Sequence, residues 1–152
     1  ISKLEAGQLV RVLWRKKPVW IFMRDEKALD ALNSDGLIKS LDDPDGTGNS
    51  KNQQPAYVTS NFRSIKNKES VAVIVGVCTH LGCSPTYRPE PGAADLGGDS
   101  WKGGFYCPCH GSKFDLAGRV YAGVPAPTNL VIPPYRYVSD SLIRIGVDPE
   151  IT

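Results

Sequence analysis

All four cysteines and both histidines of this 152-residue chain lie in two short stretches, "CTHLGC" at 78–83 and "CPCHGS" at 107–112. Nothing else constrains the fold as strongly. Thiol and imidazole donors divided between two loops about two dozen residues apart need a scaffold that brings the loops together. Three chemistries use such donors. Zinc takes four nitrogen or sulfur ligands in a tetrahedron, with cysteine pairs usually two to four residues apart. Here one residue separates Cys78 from His80, and one separates Cys107 from Cys109. Disulfides are the second possibility. The third is an iron–sulfur cluster, whose two irons need two ligands each.

The rest of the chain reads as that scaffold. With 15 glycines and 12 prolines, composition favours strands and turns over helices. The segments "QLVRVLW" (8–14) and "PVWIFMR" (18–24) predict a hairpin turning at "RKKP". The stretch "DEKALDALN" (25–33) has helical spacing and an acidic first turn, which predicts a short helix ending near Asn33 or Gly36. A long surface loop is expected over 42–55, and a solvated turn at "RSIKNKES" (63–70). The run "SVAVIVGV" (70–77) predicts a strand buried on both faces. From Cys78 to about Pro127 only short extended pieces such as "GFYC" and "SKFD" stand out. No core is expected there, so a metal or disulfide must organise the segment. The chain closes on "YRYV" and the half-buried strand pattern of "SLIRIGV" (141–147). Trp14, Trp20 and Trp101 are expected to serve packing.

Charge and hydropathy exclude other classes. A net charge of +2 argues against a nucleic-acid partner. The longest apolar run, "VAVIVGVC" (71–78), falls far short of the roughly 20 residues that span a bilayer.

The two boxes, together with "GVPAPTNL" (123–130), resemble the Rieske iron–sulfur proteins of cytochrome bc complexes. The lead into the helical segment, "PVWIFMRDEKAL", resembles the bacterial and mitochondrial type more than the plastid one. The resemblance spans nearly the whole chain. It implies an all-β fold: an antiparallel β base at 1–76 and 128–152 with a short helical insert, and a small cluster-binding subdomain at 77–127. It implies a 2Fe–2S cluster with Cys78 and Cys107 on one iron and His80 and His110 on the other, and a disulfide between Cys83 and Cys109. Ser112 would donate a hydrogen bond to the cluster, Leu81 would shield it and form the docking tip, and Pro125 would sit in the covering loop.

The implied function is one-electron transfer from a quinol to a c-type cytochrome, with His110 contacting the quinol and cytochrome b completing its pocket. Two neutral imidazoles in place of two thiolates ease reduction, lifting potentials to roughly −150 to +300 mV from about −400 mV. The resemblance further implies an oxidoreductase complex on the periplasmic side of a bacterial inner membrane, with an N-terminal anchor outside this chain. A Rieske ferredoxin or the cluster domain of an aromatic-ring oxygenase is the alternative. The extra cysteine pair, Leu81 and the proline segment argue against it.

One position departs from the family. After Ser112, Phe114 stands where many relatives carry a tyrosine whose hydroxyl donates to a ligand cysteine sulfur. Such donors stabilise the electron-rich state and raise the potential. If the hydroxyl favours that state by about 1 kcal/mol, Phe114→Tyr raises the midpoint potential by about 40 mV for one electron. Protein-film voltammetry at neutral pH measures this, and an unchanged or lower value would show that the hydroxyl is not missed.

Overall fold

The computed structural model describes residues 4–48, 50–58 and 61–148. Its elements, in chain order, are β1 (Leu9–Trp14), β2 (Lys17–Met23), α1 (Glu26–Leu32), α2 (Asp35–Lys39), β3 (Val71–Val75), β4 (Thr86–Arg88), two 3-10 turns (Ala94–Leu96 and Gly98–Ser100), β5 (Gly104–Tyr106), β6 (Lys113–Asp115), β7 (Tyr135–Ser139) and β8 (Leu142–Ile145). The strands form three antiparallel sheets, ordered β1-β2-β3, β4-β5-β6 and β7-β8. The architecture is all-β with a short helical insert, as the sequence predicts.

Most elements form where local chemistry asks for them. Asp25 caps α1, its carboxylate accepting from the Ala28 N–H at 2.8 Å. β3 is buried along its whole length. The β1–β2 turn is tighter than "RKKP" suggests, because Lys17 and Pro18 already belong to β2. Only Arg15 and Lys16 make the turn, at φ 52° and 65°. A two-residue hairpin needs such positive φ values to match strand twist. A second helix, α2, follows α1 at once, its N-cap Ser34 directly after Asn33.

An aromatic layer joins the first two sheets. Trp20 and Phe22 alternate onto one face of β2. The Trp20 ring stacks on Phe105 of β5 at 4.4 Å, and Phe22 meets Phe105 edge-on at 5.5 Å. Tyr87 of β4 packs beside both. The 78–127 segment therefore has a three-stranded sheet and buried Trp101, Phe105, Phe114 and Leu116, contrary to the expectation that it lacks a core. Its apolar residues are few but large, and a periodicity count misses them. Where the chain leaves β3, a Cβ on Gly76 would lie 2.3 Å from the Trp20 indole, so only glycine lets the backbone pass this close.

The 42–55 segment is the surface loop expected, pinned at the buried Ser50 and by Ile132 N–H, which donates to Gln53 O at 2.7 Å. The next turn departs from expectation. Within 63–70, Arg63 and Ser64 are buried at 1% and 0% exposure, not solvated. Arg63 meets acceptors from inside the protein, donating to Ala117 O, Leu130 O and Gln53 O and to Gln54 Oε1.

Arg63 is one of three buried guanidiniums around the turn at 115–119. Arg24 donates to Leu116 O, Phe62 O, Glu69 O and Ser64 Oγ. Arg119 pairs with the Asp115 carboxylate at 2.7 Å and also reaches Leu32 O. Asp115 Oδ1 accepts the N–H groups of Ala117 and Arg119. Burial lowers Arg24 to about 10 and Arg63 to about 9, with Asp115 the chief opposing influence, so both stay cationic at neutral pH. Among the described residues no helix is long and apolar enough to cross a membrane.

Asp115 supplies the buried carboxylate in this group. Removing one partner of a buried pair leaves an uncompensated charge, at a cost of about 3–5 kcal/mol. Asp115→Asn is expected to lower unfolding stability by that amount, read from urea titration. A midpoint matching the parent would show that the carboxylate is dispensable.

Candidate metal centre

The two boxes occupy two loops with one backbone frame. The first follows β3, and the second connects β5 to β6. In the first, Cys78 N–H donates to Cys83 O at 2.7 Å and Gly82 N–H returns to Cys78 O at 3.0 Å. In the second, Cys107 N–H donates to Ser112 O at 2.8 Å and Gly111 N–H to Cys107 O at 2.9 Å. Gly82 and Gly111 sit at φ 81° and 83°, a left-handed bend that glycine adopts without strain. In this shared frame Cys78 corresponds to Cys107, His80 to Cys109, Leu81 to His110, and Cys83 to Ser112. The histidines therefore leave their loops at different steps.

The structure brings these side chains together. A disulfide joins Cys83 to Cys109 across the loops, with 6.6 Å between Cα atoms. Cys78 and Cys107 are free and almost fully buried. The sulfurs of Cys83, Cys107 and Cys109 lie within 4.8 Å of one another, but two are bonded to each other. The thiols open to a metal are therefore Cys78 and Cys107. The His80 and His110 rings are 4.8 Å apart, edge to face. His80 Nδ1 is buried and has no hydrogen-bond partner. A buried nitrogen without a partner is costly. A metal bound there removes the cost, and the donor set of two thiols and two imidazoles suits iron.

Burial pushes the Cys78 thiol up, and the Cys107 thiol beside it adds to the rise. Hydrogen bonds from the His80 amide and the Ser112 hydroxyl oppose it by favouring the thiolate. Ser112 is fully buried, and its Oγ also accepts the Ala126 N–H at 2.9 Å. That contact lays the 123–128 segment over the second loop, with Pro125 and Pro127 facing solvent. Thr79 Oγ1 donates to Thr128 O at 2.7 Å and ties the segment to the first loop as well. Thr79 and Ala126 escape sequence reasoning. Ala126 acts through its backbone N–H, which no residue type advertises.

His110 is exposed, and Leu81 at the tip is 67% exposed. A surface groove of about 580 Å³ lies between Ile65–Lys68 and Arg136–Val138, away from both boxes. Phe114, in β6, is wholly buried and pairs with Phe105 across the sheet.

Residues 45–136 match the Rieske [2Fe-2S] domain. The chain is 57% identical over 148 residues to a ubiquinol-cytochrome c reductase iron-sulfur subunit of Allochromatium vinosum, covering 97% of this chain and 68% of that protein. Identity to the subunit of the same name from Bradyrhizobium diazoefficiens is 38%, over 96% of this chain and 69% of that one. A mitochondrial Rieske subunit of the tobacco cytochrome b-c1 complex (Nicotiana tabacum) is 41% identical, with 96% of this chain and 44% of the relative covered. A solved structure titled "Hyperthermophilic respiratory Complex III" shares the fold at a TM-score of 0.53 and 24% identity, covering 94% of this chain and 69% of that one. The two cysteine–histidine loops, with their buried thiols and facing imidazoles, thus sit in a chain that belongs to the Rieske 2Fe–2S family.

Proposed function

We propose that Cys78 and Cys107 hold one iron as thiolates and His80 and His110 the other through ring nitrogens. On this reading the chain carries single electrons as the iron–sulfur subunit of a quinol–cytochrome c reductase. The observation that carries it is the orphaned, buried Nδ1 of His80, facing a second imidazole beside two free buried thiols. When bound, the cluster supplies a centre that accepts and releases one electron at a potential raised by its imidazole ligands.

The chain's own residues do the rest. The Ser112 hydroxyl and the His80 amide donate toward the Cys78 sulfur and favour its electron-rich form. His110, exposed at the tip, meets the quinol and takes up the proton that accompanies the electron. Leu81 gives the tip an apolar contact surface and shields the loops. Pro125 belongs to the cover. The loops and cover form the cluster-binding part, 77–127, on a base made by 1–76 and 128–152. Cytochrome b, completing the quinol pocket, and a c-type cytochrome are the partners, on the periplasmic face of a bacterial inner membrane. A disulfide suits that oxidising compartment.

Pulsed EPR of the reduced protein tests the ligand assignment. Couplings from two inequivalent coordinated nitrogens are expected, and a spectrum with sulfur ligation alone would overturn it.

The disulfide staples two loops that have little apolar surface of their own. Replacing Cys83 and Cys109 by Ser is expected to cost about 2–4 kcal/mol. The nitrogen couplings should persist, while visible absorbance bleaches faster on warming. Equal bleaching rates would deny the staple its role.

Proton uptake at the imidazoles accompanies reduction, so raising the pH opposes it. The midpoint potential should fall at alkaline pH, by up to about 59 mV per unit for one proton per electron. A potential flat from neutral to strongly alkaline pH would sink this coupling.

A further inference from the structure

Asn129 is fully buried, and four of its polar atoms have partners. Its N–H donates to Ser50 Oγ at 2.8 Å and its Nδ2 to Asp43 O at 3.2 Å. Its Oδ1 accepts the Val120 N–H at 2.8 Å, and its carbonyl accepts from Gln53 Nε2 at 3.1 Å. Three of these contacts come from the 42–55 segment, whose own shape is set by Asp43. The Asp43 carboxylate accepts the N–H groups of Gly48 and Ser50 at 3.0 and 2.9 Å, presenting the buried Ser50 hydroxyl inward. The Val120–Asn129 bond closes the base of the loop that carries Ala126, and Ala126 N–H occupies Ser112 Oγ at 2.9 Å. With that oxygen accepting from Ala126 on one side, the Ser112 hydroxyl keeps its own proton to donate on another.

We propose that Asn129, anchored by Asp43 and Ser50, is a positioning residue that fixes Ala126 over Ser112 and thereby aims the serine hydroxyl at the redox centre. The 42–55 segment then serves as the fixed post to which the cover is tied. A loop of this length samples many conformations unless its base is closed. Asn129 closes it from inside the protein, where every lost hydrogen bond leaves a stranded polar group. The proposal rests on the ligand assignment above, since the effect is read through the cluster.

Four cluster-loaded chains test it: the parent, Asn129→Ala, Ser112→Ala and the double variant. The measurement is the midpoint potential at one pH, with pulsed EPR of each sample. Asn129→Ala is expected to disfavour reduction about tenfold, a fall of about 59 mV. In the Ser112→Ala background the same substitution should no longer move the potential, because the two act in series. A zero shift in the parent background, or equal shifts in both, would overturn the proposal. If Asn129→Ala does not retain its cluster, Ser50→Ala replaces it in the same cycle, with Ser50→Thr expected to restore the parent value. Missing nitrogen couplings in the parent would instead condemn the ligand assignment, leaving the hydrogen-bond geometry of Asn129 untouched.

Discussion

The rest of the fold hangs on the five-residue turn at 115–119, where Asp115 and three buried guanidiniums meet. Arg24 comes from the end of β2, Arg63 from the connection before β3, and Arg119 from the turn itself. Each ends on carbonyl oxygens far away in sequence, so one site locks the first sheet, the long connection and the sheet that carries the second cysteine box. A buried cation is tolerable only when its donors are satisfied, and here the backbone supplies most of the acceptors. Such a knot has a single geometry, which a purely apolar contact of equal area would not impose.

Above that knot the two sheets meet through rings. Trp20, Phe22, Tyr87 and Phe105 set the distance between the base and the cluster-bearing sheet. Gly76 then lets the chain slide past the Trp20 indole into the first box. The positions of Cys78 and Cys107 are thus fixed by core packing beneath them, and both are buried as core residues are. The metal-binding loops are extensions of a rigid interior.

Much of this was legible. Alternation and apolar runs locate β2, β3 and the closing hairpin, Asp25 announces α1, and the boxes announce an iron–sulfur centre. What stayed hidden has a common physical form. Arg63 and Asn129 look like surface residues because their type usually is, and several of the partners that make them interior lie more than fifty residues away. Of the second sheet, β5 and β6 fall in the extended pieces "GFYC" and "SKFD", while β4 and the pairing of the three stay hidden because strands of three residues are too short for a period to register. Ala126 acts through its amide, and a side-chain alphabet does not record amides.

The exposure of Leu81 and His110 has a consequence of its own. An imidazole and a leucine standing in solvent offer a small molecule little enclosure by which to be judged for shape. Discrimination must come from the surface the tip lands on, and the protein's contribution is a contact patch of fixed form. Such a design behaves as a plug. On the reading proposed above, a socket that accepts Leu81 and His110 acquires the chemistry, and one electron is collected in one socket and delivered in another without any change in the plug itself.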